Sequence, residues 1–411
     1  MTRPQPDGAG RPRLGPRPLP LHLGLAAWQV TSSSVALPIS SGAWTGWKPH
    51  LAQRAESLRE ELARADPDAL GRAVIAEGLR RFGTLLTGIE RYRHHKWRRD
   101  VADPPATWCE GTTALRDYGG EGPPVLFVPS LVNRSYILDL SRRQSLLRWL
   151  AGRDVNPWLV DWGAPGPEER AFTLDDYVAD RLAKAIDVVV RRTGRPVVLV
   201  GYCMGGLLAL GAALLRRDLV AGLGLLATPW DFHAGDGARA RALAAAVPML
   251  EPQLSLFGVL PVDTLQALFA GLDPFAILRK FEGFARLDPD SPRARLFVAL
   301  EDWLNDGVPL AAPVARECLT GWYGENRPTL GTWTIAGTRI DPAAFDGPTL
   351  ALIPARDRIV PPESAAALAE ALPNCETVSP GAGHIGMVVG TGVRESVWQP
   401  LAQWIAATQQ S

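Results

Sequence analysis

A thiol becomes a working nucleophile when a backbone turn exposes it and an imidazole stands ready to take its proton. Cys203 sits in Gly201-Tyr202-Cys203-Met204-Gly205-Gly206, directly after the apolar run Val197-Val198-Leu199-Val200 and directly before a helix-forming stretch. Strand, tight turn and helix in that succession make a nucleophile elbow. The turn is sharp enough that its flanks have no room for side chains, which accounts for Gly201 and Gly205. It would hold the sulfur at the carboxyl edge of a sheet, beside a helix N-terminus, and aim the Met204 amide at a developing oxyanion. The chain has six histidines: His22, His50, His94, His95, His233 and His384. Elbow chemistry places the acid and then the histidine later in the chain than the nucleophile. Only His384, in the turn Gly381-Ala382-Gly383-His384-Ile385-Gly386, suits that order, and Asp357 lies on the loop after a late strand. Against this stand plainer roles: a buried thiol, a histidine capping a glycine turn, an aspartate capping a helix or pairing with Arg358.

The elements that must position these groups are legible in the punctuation. Residues 125–129, 156–162, 197–200, 223–228 and 349–353 are short apolar runs bounded by turn residues, suited to buried parallel strands. Helix-like segments at 141–151, 174–193, 204–217 and 362–372 alternate with them. That rhythm predicts an α/β fold with a mostly parallel sheet covered on both faces. Residues 233–341 break it; they are helical in character and rich in Trp and Pro, and read as an insertion. Ahead of the sheet, residues 1–20 are rich in Pro, Gly and Arg and read as a flexible tail. Residues 21–48 carry Trp28, Trp44 and Trp47 as apolar anchors, and 51–93 shows two helical stretches parted by Asp66-Pro67-Asp68, with Asp68 as the cap. The resulting division is 1–104 tail and helical region, 105–232 first part of the core, 233–341 cap, and 342–411 second part of the core. The N-terminal helices are expected to pack on the body or on a second subunit.

The chain resembles the poly(3-hydroxyalkanoate) synthases, and class III and class IV catalytic subunits more than class I. The likeness runs over roughly residues 105–405. It rests on Leu131-Val132-Asn133-Arg134 with Tyr136 and Leu138-Asp139-Leu140, on Asp161-Trp162-Gly163, and on Thr173-Leu174-Asp175-Asp176-Tyr177. It continues through the cysteine box, Thr228-Pro229-Trp230-Asp231-Phe232, Asp357-Arg358-Ile359-Val360-Pro361-Pro362 and His384-Ile385-Gly386. The resemblance implies an α/β-hydrolase fold with Cys203, Asp357 and His384 as its triad. It implies that the loop at 129–133, through Leu131 and Val132, supplies a second oxyanion amide beside Met204. The activity implied is transfer of 3-hydroxyacyl groups from coenzyme A to a growing polyester through an acyl-cysteine, with CoA as the leaving group and no cofactor. A thioesterase or polyester depolymerase with the same triad is the alternative. Asp231, Trp303 and Tyr323 are expected to contact substrate or line a lid built from the insertion. The partners implied are the 3-hydroxyacyl-CoA, the polyester, a second synthase subunit and a second copy in a homodimer. One departure is the Met after the cysteine, where class III members tend to carry Gln.

Composition narrows the field further. Forty-three Lys+Arg balance 43 Asp+Glu, which argues against nucleic acid as a partner. The balance is uneven along the chain: 16 basic against 9 acidic residues in the first hundred, 27 against 34 in the rest. Four scattered cysteines without C-x-x-C spacing argue against a disulfide framework or a zinc site. No apolar run reaches the length of a transmembrane helix. The stretch 20–30 follows Arg11, Arg13 and Arg17 but is interrupted by His22 and Gln29, and no small-residue cleavage pattern closes it. It is expected not to be a secretory leader. A cytoplasmic location, with association to polyester granules, is the expectation.

Overall fold

The computed structural model describes residues 13–41 and 49–408. It divides into two compact units: Met1–Arg98 with Gln266–Asn305, and Arg99–Leu265 with Asp306–Ser411.

The smaller unit is helical. α1 (Leu19–Ser41), α2 (Pro49–Ala63) and α3 (Pro67–Arg93) come from the N-terminal region. Asp66, rather than Asp68, caps α3: its carboxylate accepts the Asp68 amide at 3.2 Å, and Pro67 occupies the first turn, where its missing N–H costs nothing. One face of α3, with Leu85, Ile89 and Tyr92, buries itself against Ile277, Leu278, Phe281 and Phe284 of the helix Ala276–Ala285. Arg81 adds an ion pair to Glu282 at 2.9 Å. The region expected to be a tail is held from Arg13 onward: its guanidinium binds Asp302 at 2.5 Å and the carbonyls of Tyr92, His95 and Trp97. Residues 1–12, and the anchors Trp44 and Trp47, lie outside the described residues.

The larger unit is built on an eight-stranded sheet. Its strands are β1 (Ala106–Glu110), β2 (Thr113–Asp117), β3 (Pro124–Val128), β4 (Asn156–Asp161), β5 (Val197–Tyr202), β6 (Val220–Leu226), β7 (Thr349–Leu352) and β8 (Cys375–Val378). Their spatial order is β1-β2-β4-β3-β5-β6-β7-β8. The pairs β1/β2 and β2/β4 are antiparallel and the rest are parallel. All five apolar runs read as strands are strands. β1 and β8 at the two edges, and β2 beside β1, carry no continuous apolar run in the sequence; Glu376 and Thr377 of β8 are exposed. α4 (Ala183–Thr193) continues a π-helical turn at Asp176–Leu182, and α5 (Met204–Leu215) follows β5. Nearly every residue of α5 is buried, as expected for a helix apolar all round.

The insertion is not one body. Residues 266–305 fall in the smaller unit, while 233–265 and 306–341 belong to the larger one. The physical reason is the apolar stripe of Ala276–Ala285, which finds its match on α3 some two hundred residues earlier. What stays with the sheet includes the helices Gly237–Ala245 and Val247–Phe257, a short ladder of Val259–Leu260 with Leu310–Ala311, and the π-helical segment Glu317–Gly324. No described helix is long and apolar enough to cross a membrane.

Candidate active site

Cys203 stands at the end of β5 with φ 55° and ψ −127°, a left-handed backbone that a β-carbon makes costly. Its neighbours hold it there. Its amide donates to Leu226 O of β6 at 2.8 Å, and its carbonyl accepts the Gly206 amide at 2.9 Å. The turn runs so close to β3 that a β-carbon on Gly205 would strike the Val128 carbonyl and Pro129. Met204 opens α5, so its amide is among those with no acceptor inside the helix.

His384 comes from the glycine-rich turn after β8, and Asp357 from the turn after β7. His384 Nδ1 donates to Asp357 Oδ2 at 2.6 Å. The other carboxylate oxygen accepts the amides of Ile359 at 2.8 Å and Val360 at 2.9 Å. Asp357 is therefore fully occupied and buried, which fixes the ring's tautomer and leaves its opposite nitrogen for Cys203, with which His384 shares a hydrogen bond. Tyr202 stacks on the imidazole at 5.2 Å between centroids, and its hydroxyl donates to His384 O at 3.1 Å. Burial disfavours the imidazolium, but negative charge at Cys203 and the bonds to Asp357 and Cys203 outweigh it, raising the His384 pKa from 6.5 to about 10.

The loop after β3 is pinned from three sides. Trp162 Nε1 donates to Pro129 O at 3.0 Å, the Val308 amide to Val132 O at 3.4 Å, and the Val132 amide to Ser130 Oγ at 3.3 Å. The Val132 amide, one of the two expected oxyanion donors, is thus turned to Ser130. Further along, Asp139 is completely buried and accepts from Arg148 at 2.8 Å, Arg99 at 3.2 Å and the Tyr118 hydroxyl at 3.2 Å.

The other expected site residues sort themselves by position. Asp231 Oδ1 accepts the His233 amide at 2.9 Å and Asn326 Nδ2 at 2.8 Å, so this carboxylate ties the strand end to the segment at 317–326. Asn326 returns a bond, accepting the Phe232 amide at 3.0 Å. Tyr323 is half-buried, with its ring 4.9 Å from that of Phe232; burial and the charges of Cys203 and Cys318 push its hydroxyl pKa up, which places it within electrostatic reach of the nucleophile. His233 Nε2 bonds Tyr323 O at 2.9 Å. Trp303 lies on the helix Pro292–Asn305 of the smaller unit and is 2% exposed. Asn326, Tyr202 and Ser130 were not singled out from sequence; only Asn326, in a polar turn before Pro328, carried a local signal. Among the described residues no cluster of three or more His, Cys, Asp or Glu could hold a metal.

Residues 123–391 match the alpha/beta hydrolase fold family. The poly(3-hydroxyalkanoate) polymerase subunit PhaC of Synechocystis is 32% identical over 295 residues, 70% of this chain and 78% of that protein. The subunit PhaC of Haloarcula marismortui is 31% identical over 290 residues, and that of Allochromatium vinosum 29% over 289. This chain belongs to the poly(3-hydroxyalkanoate) polymerase family. The alignment spans 61% of the length of the Haloarcula relative and 69% of this chain. Cys203, Asp357 and His384 all fall within the hydrolase-fold match of this polymerase-family chain, and α1, α2 and α3 precede it.

Proposed function

We propose that this chain polymerises 3-hydroxyacyl groups from coenzyme A thioesters into a polyhydroxyalkanoate through a Cys203-bound acyl intermediate. The observation that carries the reading is the thiol on a strained elbow, hydrogen-bonded to a histidine that Asp357 holds at 2.6 Å.

In the first half-reaction the Cys203 sulfur attacks the thioester carbonyl. The carbonyl–sulfur bond to CoA breaks, and the departing thiolate takes the proton held on His384. The Met204 amide and the Leu131 amide receive the transient oxyanion. One thioester has replaced another, so little free energy is at stake. In the second half, His384 takes the proton of a 3-hydroxyl. The oxygen attacks the acyl-cysteine, a new ester forms, and the Cys203 sulfur leaves as thiolate. Asp357 keeps the imidazole oriented and stabilises its charge throughout. No cofactor is required; CoA is only the leaving group. Water competes with the hydroxyl, and the packed rings of Phe232, Trp322 and Tyr323 are suited to exclude it. The same reading includes a second synthase subunit and location at the polyester granule.

The test is to incubate wild type and Cys203→Ala with short and medium 3-hydroxyacyl-CoAs, following free CoA and product mass. Polymer with CoA release is expected from wild type, and a loss of about 10³-fold or more in the variant. Free 3-hydroxy acid as the sole product would make the chain a thioesterase instead. Unchanged release in Cys203→Ala would remove the mechanism.

A further inference from the structure

At the edge of the sheet opposite Cys203, two buried polar atoms line one cavity without a hydrogen-bond partner among the described residues: Trp158 Nε1 and Asn156 Oδ1. Trp158 is 2% exposed. The two residues are two apart on β4, so their side chains leave the same face of the sheet. Asp117, the register partner of Trp158 on β2, joins them in the lining. Burying a donor or an acceptor unpaired destabilises a fold, and Phe in place of Trp158 would remove the donor. The cavity measures about 340 Å³, whereas a single water needs only about 10–15 Å³. Glu121, Arg192 and Arg195 are exposed at its rim and Asp117 is half-buried, so two carboxylates and two guanidiniums cancel in formal charge.

We infer that this cavity is a binding site for a neutral polyhydroxy compound of monosaccharide size. A hydroxyl both gives and takes a hydrogen bond, so neighbouring hydroxyls satisfy the Trp158 N–H and the Asn156 oxygen together. At the rim the carboxylates accept from further hydroxyls and the guanidiniums donate to them. Ions fit less well. An anion would gain from Arg192 and Arg195 but meet Asp117 and Glu121 beside them, and a cation the reverse. A zwitterion would bring full charges against two buried neutral atoms. The site is separate from the triad. Asn156 pairs with Pro124 of β3 and Val125 with Val198 of β5, which sets Asn156 level with Val197. Cys203 therefore lies about 20 Å further along the parallel strands.

Saturation-transfer NMR on the full chain tests the assignment, with D-glucose and myo-inositol as probes and acetate and L-alanine as charged controls. At least one of the two polyols is expected to bind saturably in the millimolar range, and more tightly than either control. Asn156→Ala and Trp158→Phe are each expected to weaken that binding by at least about tenfold, while Cys203→Ala leaves it unchanged. Asn156 is only half-buried, so its variant decides the matter should Trp158→Phe fail to fold; circular dichroism checks both. No saturable binding of either polyol, as in a cavity that takes only water, overturns the inference. Binding indifferent to Asn156→Ala overturns it as well, because it would sit elsewhere, and binding lost in Cys203→Ala would place it at the triad. Tighter binding of acetate or L-alanine than of both polyols, sensitive to Asn156→Ala, would make the site one for ions and equally overturn the assignment.

Discussion

At Cys203 a backbone angle, a helix terminus and an imidazole act on one sulfur. The raised His384 pKa depends first on charge at that sulfur and then on Asp357. Three predictions belong to this scale. In Cys203→Ala the His384 pKa, read by NMR titration, is expected to fall from about 10 toward 6.5 or below, because burial then acts with one fewer opposing charge. A value still near 10 would place its cause elsewhere. The second concerns stability. A histidine whose pKa rises from 6.5 to about 10 on folding stabilises the native state fully below pH 6.5, and that contribution is lost as pH climbs through 10. The difference in unfolding free energy between wild type and His384→Gln, measured in urea, should therefore shrink across that window. Asp357→Asn is expected to lower CoA release by about 10³–10⁴-fold through loss of the tautomer, with its melting temperature as the control for folding.

Strands and loops act by holding groups where the chemistry needs them. Asp139 accepts from two arginines and a tyrosine while completely buried, and so anchors the connection that follows the loop after β3. Asp139→Ala removes the buried acceptor shared by Arg99, Arg148 and the Tyr118 hydroxyl, and chemical denaturation should show a loss of about 1–3 kcal/mol. Asn326 acts beyond the end of β6. It links Asp231 and the Phe232 amide to the segment bearing Tyr323. Asn326→Ala is expected to raise KM and slow turnover together while Cys203 still labels with iodoacetamide at the wild-type rate. Slower labelling would mean that the turn orders the elbow itself. At this scale the sequence was informative where strands are buried on both faces and silent at the edges, because alternation over four or five residues is too short a pattern to stand out.

For the molecule as a whole, the notable feature is that residues 266–305 leave the insertion and join the N-terminal helices. Their shared interior surrounds Phe281, and Leu85 contributes to it with no exposure at all. Leu85→Ala should destabilise that unit by about 2–5 kcal/mol, and hydrogen exchange should accelerate in Ala276–Ala285 before it does in β5 or β6. Equal acceleration everywhere would show that the two units unfold as one. The N-terminal helices thus share one helical unit with residues 266–305.

The elbow and the order of cysteine, aspartate and histidine could be read from sequence because they depend on local backbone geometry and on chain direction through a parallel sheet. The five central strands were equally readable, since burial on both faces writes a continuous apolar run. Asp231 turned toward Asn326, Trp303 buried in another unit and α3 matched to Ala276–Ala285 were decided only in the folded chain. Each depends on a partner distant in sequence, and neither residue type nor spacing names that partner.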